Sequence, residues 1–279
     1  MFLQVLMLKM VFDWFVGTRE LFIATSLLIV GWPVGHALGQ ALLTAAAAAF
    51  GWPWAFHLVA AACGAALLIL AAGYAPPARA AGRVQSPLSA LSRREVTLVS
   101  VAGLLWMTVN GAYAVILGFG AETLTERGAA PVAAAGAASL MPGAFLLGLP
   151  LGAWIMGRTR APNLVTVLSL GFGAAAILAV AAGGGGGWFL PMGLVTSLCV
   201  SALAALPSEA LREETRSAGL GLYFVFYFVG MAALPPLAGV LGDAAGTAAA
   251  PMVLAAAGHL VCLGLLLVFR LSQKRRRAA

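Results

Sequence analysis

Charged side chains are scarce in this sequence. Of its 279 residues, 9% are Asp, Glu, Lys or Arg and 62% are hydrophobic, and the mean hydropathy is +1.00. A soluble domain carries about 25% charged residues, so the composition excludes an ordinary water-soluble protein. It also excludes a disordered chain, because disorder requires low hydrophobicity. The basic residues are dispersed between uncharged stretches, so we expect no nucleic-acid partner.

Cysteine and enzyme signatures are also scarce. Cys63, Cys199 and Cys262 each lie in an apolar stretch, so we expect buried free thiols instead of a disulfide or metal site. The five glycines at 183–187 precede Trp188, where a phosphate-binding loop has Lys and then Ser or Thr. No His-Glu-x-x-His, Cys-x-x-Cys or Gly-x-Ser-x-Gly occurs. We therefore expect no enzyme activity, no metal and no cofactor.

Long uncharged stretches dominate what remains. A membrane span needs about 20 apolar residues, because the hydrocarbon layer is about 30 Å thick and a helix rises about 1.5 Å per residue. Two helices fit into residues 21–78, with a turn at 50–53, and two into 161–208, separated by the glycine run. One helix each fits into 96–121, 128–157, 217–242 and 244–269. The sequence predicts an all-α polytopic membrane protein with eight complete transmembrane helices, preceded at residues 1–12 by a fragment of a ninth.

Basic residues alternate between the loops of this predicted topology. One set of loops, with the carboxyl-terminal tail, holds Arg19, Arg79, Arg83, Arg93, Arg94, Arg158, Arg160, Arg212, Arg216, Arg270 and residues 274–277. The other set holds only Arg127, while Lys9 lies within the amino-terminal fragment. By the positive-inside rule, the first set and the carboxyl terminus are cytoplasmic. We therefore expect a multi-pass protein of the plasma (inner) membrane, embedded in the lipid bilayer.

A repeated passage lies on either side of the longest cytoplasmic connection. This connection, residues 74–94, is rich in Pro, Ala, Ser and Arg and is predicted to be a linker. On each side of it, a charged cytoplasmic loop leads into a helix with glycine and proline. These features are Asp13, Arg19, Glu20, Gly31, Pro33, Gly35 and Gly39 before the linker, and Glu209, Glu214, Arg216, Gly219, Gly221, Pro235, Pro236 and Gly239 after it. The pattern indicates two parallel halves.

The residues of these passages carry a family resemblance. They are Asp13-Trp14-Phe15, Arg19-Glu20 and Gly31-Trp32-Pro33-Val34-Gly35, then Pro207-Ser208-Glu209, Glu214-Thr215-Arg216-Ser217-Ala218-Gly219-Leu220-Gly221, Pro235-Pro236-Leu237-Ala238-Gly239 and Gly242-Asp243. The sequence resembles the major facilitator superfamily of secondary transporters, and within it the cyanate-permease-like members. The resemblance implies a major-facilitator-like bundle. It divides the chain into 1–73, a remnant of the amino-terminal half with the end of helix 4 and helices 5 and 6, the linker 74–94, and 95–279, a complete six-helix carboxyl-terminal half with a basic tail.

Polar side chains within spans are candidates for solute contact, because polar groups are costly in hydrocarbon. Trp106, Asn110 and Tyr113 lie on one face of the first helix after the linker, which in the superfamily lines the central cavity. Three i, i+4 pairs are further candidates: Trp32 with His36, Tyr223 with Tyr227, and Ser197 with Ser201. The alternative for each is interhelical hydrogen bonding or an interfacial aromatic role. No charged residue lies deep in a complete span, so the solute is neutral or a coupling group lies in the missing helices; His36 is the titratable candidate.

Two further sets of residues are assigned to gating and to helix packing. The gating candidates are the cytoplasmic charges Arg19, Glu20, Glu209, Glu214 and Arg216, for which solvated loop charges are the alternative. The packing candidates are Gly31, Pro33, Gly35, Gly39, Pro235, Pro236 and Gly239. Gly31, Gly35 and Gly39 leave one helix face smooth for close approach, and Pro33 should bend that helix.

These features predict a secondary active or facilitative transporter of a small solute, with or without a coupling ion. It would work by alternating access about a midplane site. The resemblance implies that the first three helices and most of the fourth are absent, so we expect no transport by the 279-residue chain alone. The alternative is a non-transporting membrane fragment or an interaction protein.

Overall fold

A computed structural model describes residue 7 and residues 21–74, 88–212 and 214–274, without the side chains of 21–27, 29, 208, 216, 217 and 274. These residues are helical, with turns and short 3-10 segments between the helices, and contain no strand. The chain divides into two units, Met1–Val84 and Gln85–Ala279. Each unit is described by itself below.

The first unit contains a helical hairpin. Helix α1 spans Leu21–Leu38 and continues through a π-helical segment, Gly39–Leu43, into α2, Thr44–Phe50; helix α3 spans Pro53–Gly73. The turn between α2 and α3 lies where the sequence predicts it. Gly51 has φ of 94°, a conformation that glycine adopts without steric cost, and Pro53 supplies the fixed φ suited to the first turn of a helix.

The burial of Cys63 and the packing of the glycines on α1 are two sequence-based expectations that concern the first unit. Cys63 is exposed on α3, a helix in which the described part of the chain buries no residue, so the expectation of a buried thiol is wrong there. Pro33 lies inside α1. No heavy atom lies within 4 Å of a Cβ placed on Gly31 or Gly35, so close packing along this face stays a prediction.

The second unit contains six helical crossings. They are α4 (Arg93–Thr125), α5 (Pro131–Thr159), α6 (Pro162–Ala181), a pair formed by α7 (Phe189–Ser197) and α8 (Val200–Ala210), α9 (Arg216–Ala245) and α10 (Ala249–Lys274). Prolines occupy the first turns of α5 and α6, where a missing N–H costs no helical hydrogen bond. The glycine run separates α6 from α7, as expected, and Gly183 there has φ of 114°.

The described part of the chain contains seven helices long and apolar enough to cross a membrane. One is α3 and six belong to the second unit, where α7 and α8 together count as one crossing. The predicted span within residues 21–50 is helical but is not among these seven, and the fragment at residues 1–12 lies outside the described residues except for residue 7. The protein is therefore an all-α, multi-span membrane protein embedded in the lipid bilayer.

Helix α4 is the centre of the second unit. It contacts α5, α8, α9 and α10. Its buried residues Leu98, Val99 and Leu105 form one cluster with Leu203 of α8 and Phe269 of α10. In a bilayer, such packing stabilises through close van der Waals contact, because lipid tails are as apolar as the side chains.

A seam of alternating glycines joins α4 to α9. In three successive contacts a side chain of one helix lies over a glycine of the other: Phe226 over Gly103, Met107 over Gly230 and Leu234 over Gly111. The contacts advance together along both helices, so α4 and α9 run parallel. The alternation lets each helix supply both the large residue and the gap that receives it, which brings the two axes close.

A second parallel seam joins α5 to α7 through backbone contact. A Cβ on Gly152 would lie 2.2 Å from the carbonyl oxygen of Leu198, and one on Gly193 would lie 2.1 Å from that of Met141. A Cβ on Gly148 would meet Ser197 Oγ. Only glycine fits at these positions. The predicted packing residues of α9 are less tightly held: Pro235 is half-buried, Pro236 is exposed and Gly239 makes an ordinary contact with Phe119.

Candidate functional site

The predicted solute-contact residues of α4 form an aromatic and polar surface together with α9. We call Trp106, Asn110 and Tyr113 the α4 face. The Trp106 ring stacks on Tyr223 of α9, with ring centroids 5.9 Å apart and planes inclined by 25°. Trp106 and Asn110 are half-buried. The structure thus brings together two residue sets that the sequence could place only on separate helices.

Asn110 is the polar centre of the α4 face. Its Nδ2 donates to the Trp106 carbonyl oxygen at 2.8 Å, a bond within its own helix that fixes the side-chain orientation. Its amide also carries a second N–H and an acceptor oxygen. Asn110 can therefore offer both a donor and an acceptor to a small polar solute while its rotamer is held.

Tyr113 and Tyr227 continue this surface toward the interior of the unit. Tyr113 is 5% exposed and Tyr227 is 7% exposed. The Tyr113 ring packs edge-on against Phe145 of α5 at 5.3 Å, and the Tyr227 ring packs against Phe228 at 5.0 Å. Aromatic rings in such numbers provide flat apolar surface with hydroxyl groups at its edge.

The surroundings of the α4 face are uncharged. Every Asp, Glu, Lys and Arg within the described spans lies among the first or last four residues of its span. An ion would thus find no charged partner near the middle of these helices. The face suits stacking and hydrogen bonding to a small neutral molecule.

Ser197 and Ser201 occupy different environments, although they are one turn apart. Ser197 is fully buried, and its hydroxyl donates to the Leu194 carbonyl oxygen at 2.9 Å, against Gly148 of α5. Ser201 is half-buried, and its buried Oγ forms no hydrogen bond with the described residues. The helix is interrupted between the two serines, at Leu198 and Cys199. Ser197 therefore packs two helices together, whereas Ser201 keeps its hydrogen-bonding capacity.

Trp32 and His36 form a pair within the first unit. The Trp32 carbonyl oxygen lies 3.0 Å from His36 Nδ1, and the two rings meet edge-on with centroids 4.4 Å apart. This confirms that they share one face of α1. Contact of this pair with a solute stays a prediction.

The structure describes only some of the predicted gating residues. Arg19 and Glu20 lie outside the described residues, as does the side chain of Arg216, and Glu214 is exposed before α9. Glu209 forms an ion pair with Arg270 of α10 and accepts a hydrogen bond from Gln273 Nε2 at 3.1 Å. This pair joins α8 to α10 within the second unit.

The most densely bonded carboxylate, Glu95, is one that sequence reasoning missed. Glu95 is 3% exposed and accepts six hydrogen bonds from Ser92, Arg212 and Thr215, the shortest from Thr215 Oγ1 at 2.6 Å. This carboxylate raises the pKa of the Arg212 guanidinium by hydrogen bonding and by its charge. The loop between α8 and α9 is thereby tied to the start of α4. Ser92-x-x-Glu95 has the form of a capping box, a signal that was available in the sequence.

A second group missed by sequence reasoning lies at the other end of α4. Both oxygens of Glu126 accept the N–H of Ala248, at 2.8 and 3.0 Å, at the start of α10. Arg127 donates to the carbonyl oxygens of Val180 and Ala181 at the end of α6. Each charge has the sign that the adjoining helix end favours, negative at an amino terminus and positive at a carboxyl terminus.

Comparison with protein-family models gives no match for this chain, and no curated protein matches it.

Proposed function

We propose that this protein is a secondary active or facilitative transporter polypeptide of the major-facilitator type. It moves a small solute across the plasma (inner) membrane by alternating access and carries out no chemical conversion. The resemblance of the passages around residues 13–39 and 207–243 motivates this proposal. The order of the six crossings that follow the linker is compatible with it.

The observation that carries the proposal is the α4 face. Half-buried polar groups are costly in a membrane unless they serve packing or a ligand. Asn110 bonds only to the backbone of its own helix among the described residues, so helix association does not explain it. It lies on a face with Trp106 and Tyr113, next to the tyrosines of α9.

We assign a role to each residue of this site by its chemistry. Asn110 exchanges hydrogen bonds with the solute, Trp106 and Tyr223 form an aromatic wall, and Tyr113 and Tyr227 place hydroxyl groups at its edge. Ser201 adds a hydroxyl from α8. Trp32 and His36 stay separate candidates for solute contact on α1. The uncharged interior of the described spans favours a neutral solute, with any coupling ion bound elsewhere.

Asn110→Ala is expected to reduce solute uptake by a factor of about ten, because one well-placed hydrogen bond contributes about 1 to 1.5 kcal/mol. Tyr113→Phe, which removes only a hydroxyl, is expected to have a smaller effect. Uptake is measured in proteoliposomes containing the protein purified from its native membrane, not the 279-residue chain alone. The panel of labelled solutes includes neutral amides and sugars, with the anion cyanate for comparison. The amount of inserted protein is measured in parallel.

Thr108→Ala is the matched control for this measurement. Thr108 lies on the same helix and is half-buried, and its hydroxyl donates to the Leu104 carbonyl oxygen at 2.6 Å. Uptake by this variant should equal that of the wild type. If Asn110→Ala transports as well as Thr108→Ala, the α4 face is not part of the site. If the wild type takes up nothing from the panel, the non-transporting alternative is favoured.

The proposed orientation places Arg158 in the cytoplasm and the α4–α5 turn outside. In a background with the exposed Cys63 changed to Ser, Arg158→Cys should react with an impermeant maleimide only when the reagent reaches the cytoplasmic side. Ala130→Cys, beside Arg127, should react only from outside; both native residues are exposed. The reverse pattern would show that the positive-inside assignment is wrong.

A further inference from the structure

A small cavity lies at the end of the second unit where α4 finishes. Its volume is about 320 Å³, within the range of about 300 to 1,000 Å³ that small-molecule sites occupy. Leu124, Ala133 and Ala137 supply apolar walls from α4 and α5, and the backbone of residues 183–186 supplies the opposite wall. Among the residues that the structure describes, Arg127 is the one charged residue that lines it.

The Arg127 guanidinium donates hydrogen bonds to backbone carbonyl oxygens. Arg127 forms no ion pair with any described residue. The nearest acidic neighbour in sequence, Glu126, is bonded to Thr247 and Ala248 instead. Two N–H groups of the Arg127 guanidinium bind the carbonyl oxygens of Val180 and Ala181, and a guanidinium has five. Three donors and a full positive charge therefore remain at the cavity.

We propose that this cavity binds a small oxyanion, a carboxylate or phosphate group attached to a short apolar portion, through Arg127. Guanidinium groups pair with both oxyanions through two parallel hydrogen bonds. The bonds to α6 hold the guanidinium in place, so little side-chain freedom remains to be lost on binding. The alanine and leucine walls receive the apolar portion. This site is independent of the α4 face and of transport by it.

The glycine run forms one wall of the same cavity. Residues 183–186 contribute backbone without side chains, so their peptide groups form the wall directly. A Cβ on Gly186 would lie 2.5 Å from the Cβ of Ala137, so a larger residue there would push α5 away from the loop. The run therefore shapes the cavity as well as ending α6.

The test uses two sources of the same chemistry. Soluble butyrate and butyl phosphate are titrated calorimetrically into the detergent-purified protein at constant ionic strength set with chloride. Phosphatidylglycerol is compared with phosphatidylcholine by native mass spectrometry of the protein taken from nanodiscs. We expect saturable binding from at least one source, and the arm that shows it identifies a free anion or a lipid headgroup.

Three variants decide whether Arg127 and the cavity carry this binding. Arg127→Gln should weaken it at least ten-fold. Ala133→Leu, which fills the cavity and leaves the bonds of Arg127 to α6 in place, should weaken it to a similar extent. Arg158→Gln removes an equal charge at the other end of α5 and should bind as the wild type does. Absence of binding from both sources, or full binding by Ala133→Leu and Arg127→Gln, would overturn the proposal.

Discussion

Glu95→Ala is expected to destabilise the second unit by about 1 to 3 kcal/mol, the cost of leaving a buried hydrogen-bond donor without its acceptor. The substitution removes the acceptor for Ser92, Arg212 and Thr215 at once. Thr215 is itself only 2% exposed, so its hydroxyl would be left buried without its 2.6 Å acceptor. The loop between α8 and α9 would then lose its attachment to α4.

The change is measured as the midpoint of thermal or detergent-induced unfolding of the purified protein. Glu122→Ala is the matched control, because Glu122 is an exposed glutamate near the other end of the same helix; its midpoint should stay near that of the wild type. Glu95→Gln should fall between the two, since it retains the shape and one acceptor but loses the charge. Equal midpoints for Glu95→Ala and Glu122→Ala would show that the cluster contributes no stability.

The helices of the second unit could be predicted because their limits depend on local sequence. The glycine run ends one helix whatever packs around it, and Pro131 and Pro162 favour helix starts through their own backbone geometry. The turn at Gly51 is similarly local. Uncharged stretches of sufficient length give the number of crossings, which is why the predicted six in this unit agree with the structure.

The environments of single residues depend on distant parts of the chain and could not be predicted in the same way. Ser197 and Ser201 have the same residue type and lie one turn apart, yet only Ser197 meets Gly148 of another helix. Arg212 is 117 positions from the carboxylate that it binds. Spacing along one helix shows which residues share a face but does not show what lies opposite.

The sequence-based packing assignments did not include the close backbone contacts between α5 and α7. Those assignments were Gly31, Pro33, Gly35 and Gly39 in the first unit and Pro235, Pro236 and Gly239 of α9. The closest approaches occur at Gly152 and Gly193, where a carbonyl oxygen of the facing helix occupies the space of a side chain. Backbone cannot move aside as a flexible side chain can.

Gly152→Ala is therefore expected to destabilise the protein by about 1 to 3 kcal/mol or more, the cost of forcing one extra carbon into a packed interface. A Cβ there would lie 2.2, 2.5 and 2.7 Å from the carbonyl oxygen, Cα and carbonyl carbon of Leu198, so the backbone at the end of α7 must shift. Gly193→Ala should act similarly, through Met141. The unfolding midpoint in detergent measures both effects.

Gly157→Ala provides the control within the same helix. No heavy atom lies within 4 Å of a Cβ at Gly157, and alanine favours the helix over glycine by about 1 kcal/mol, so this variant should be as stable as the wild type or more stable. Gly152→Ala should lower the stability, whereas Gly157→Ala, five residues away on α5, should leave it unchanged or raise it. This difference distinguishes the effect of helix contact from the effect of helix propensity. If both variants gain stability, α5 and the end of α7 do not approach closely at Gly152.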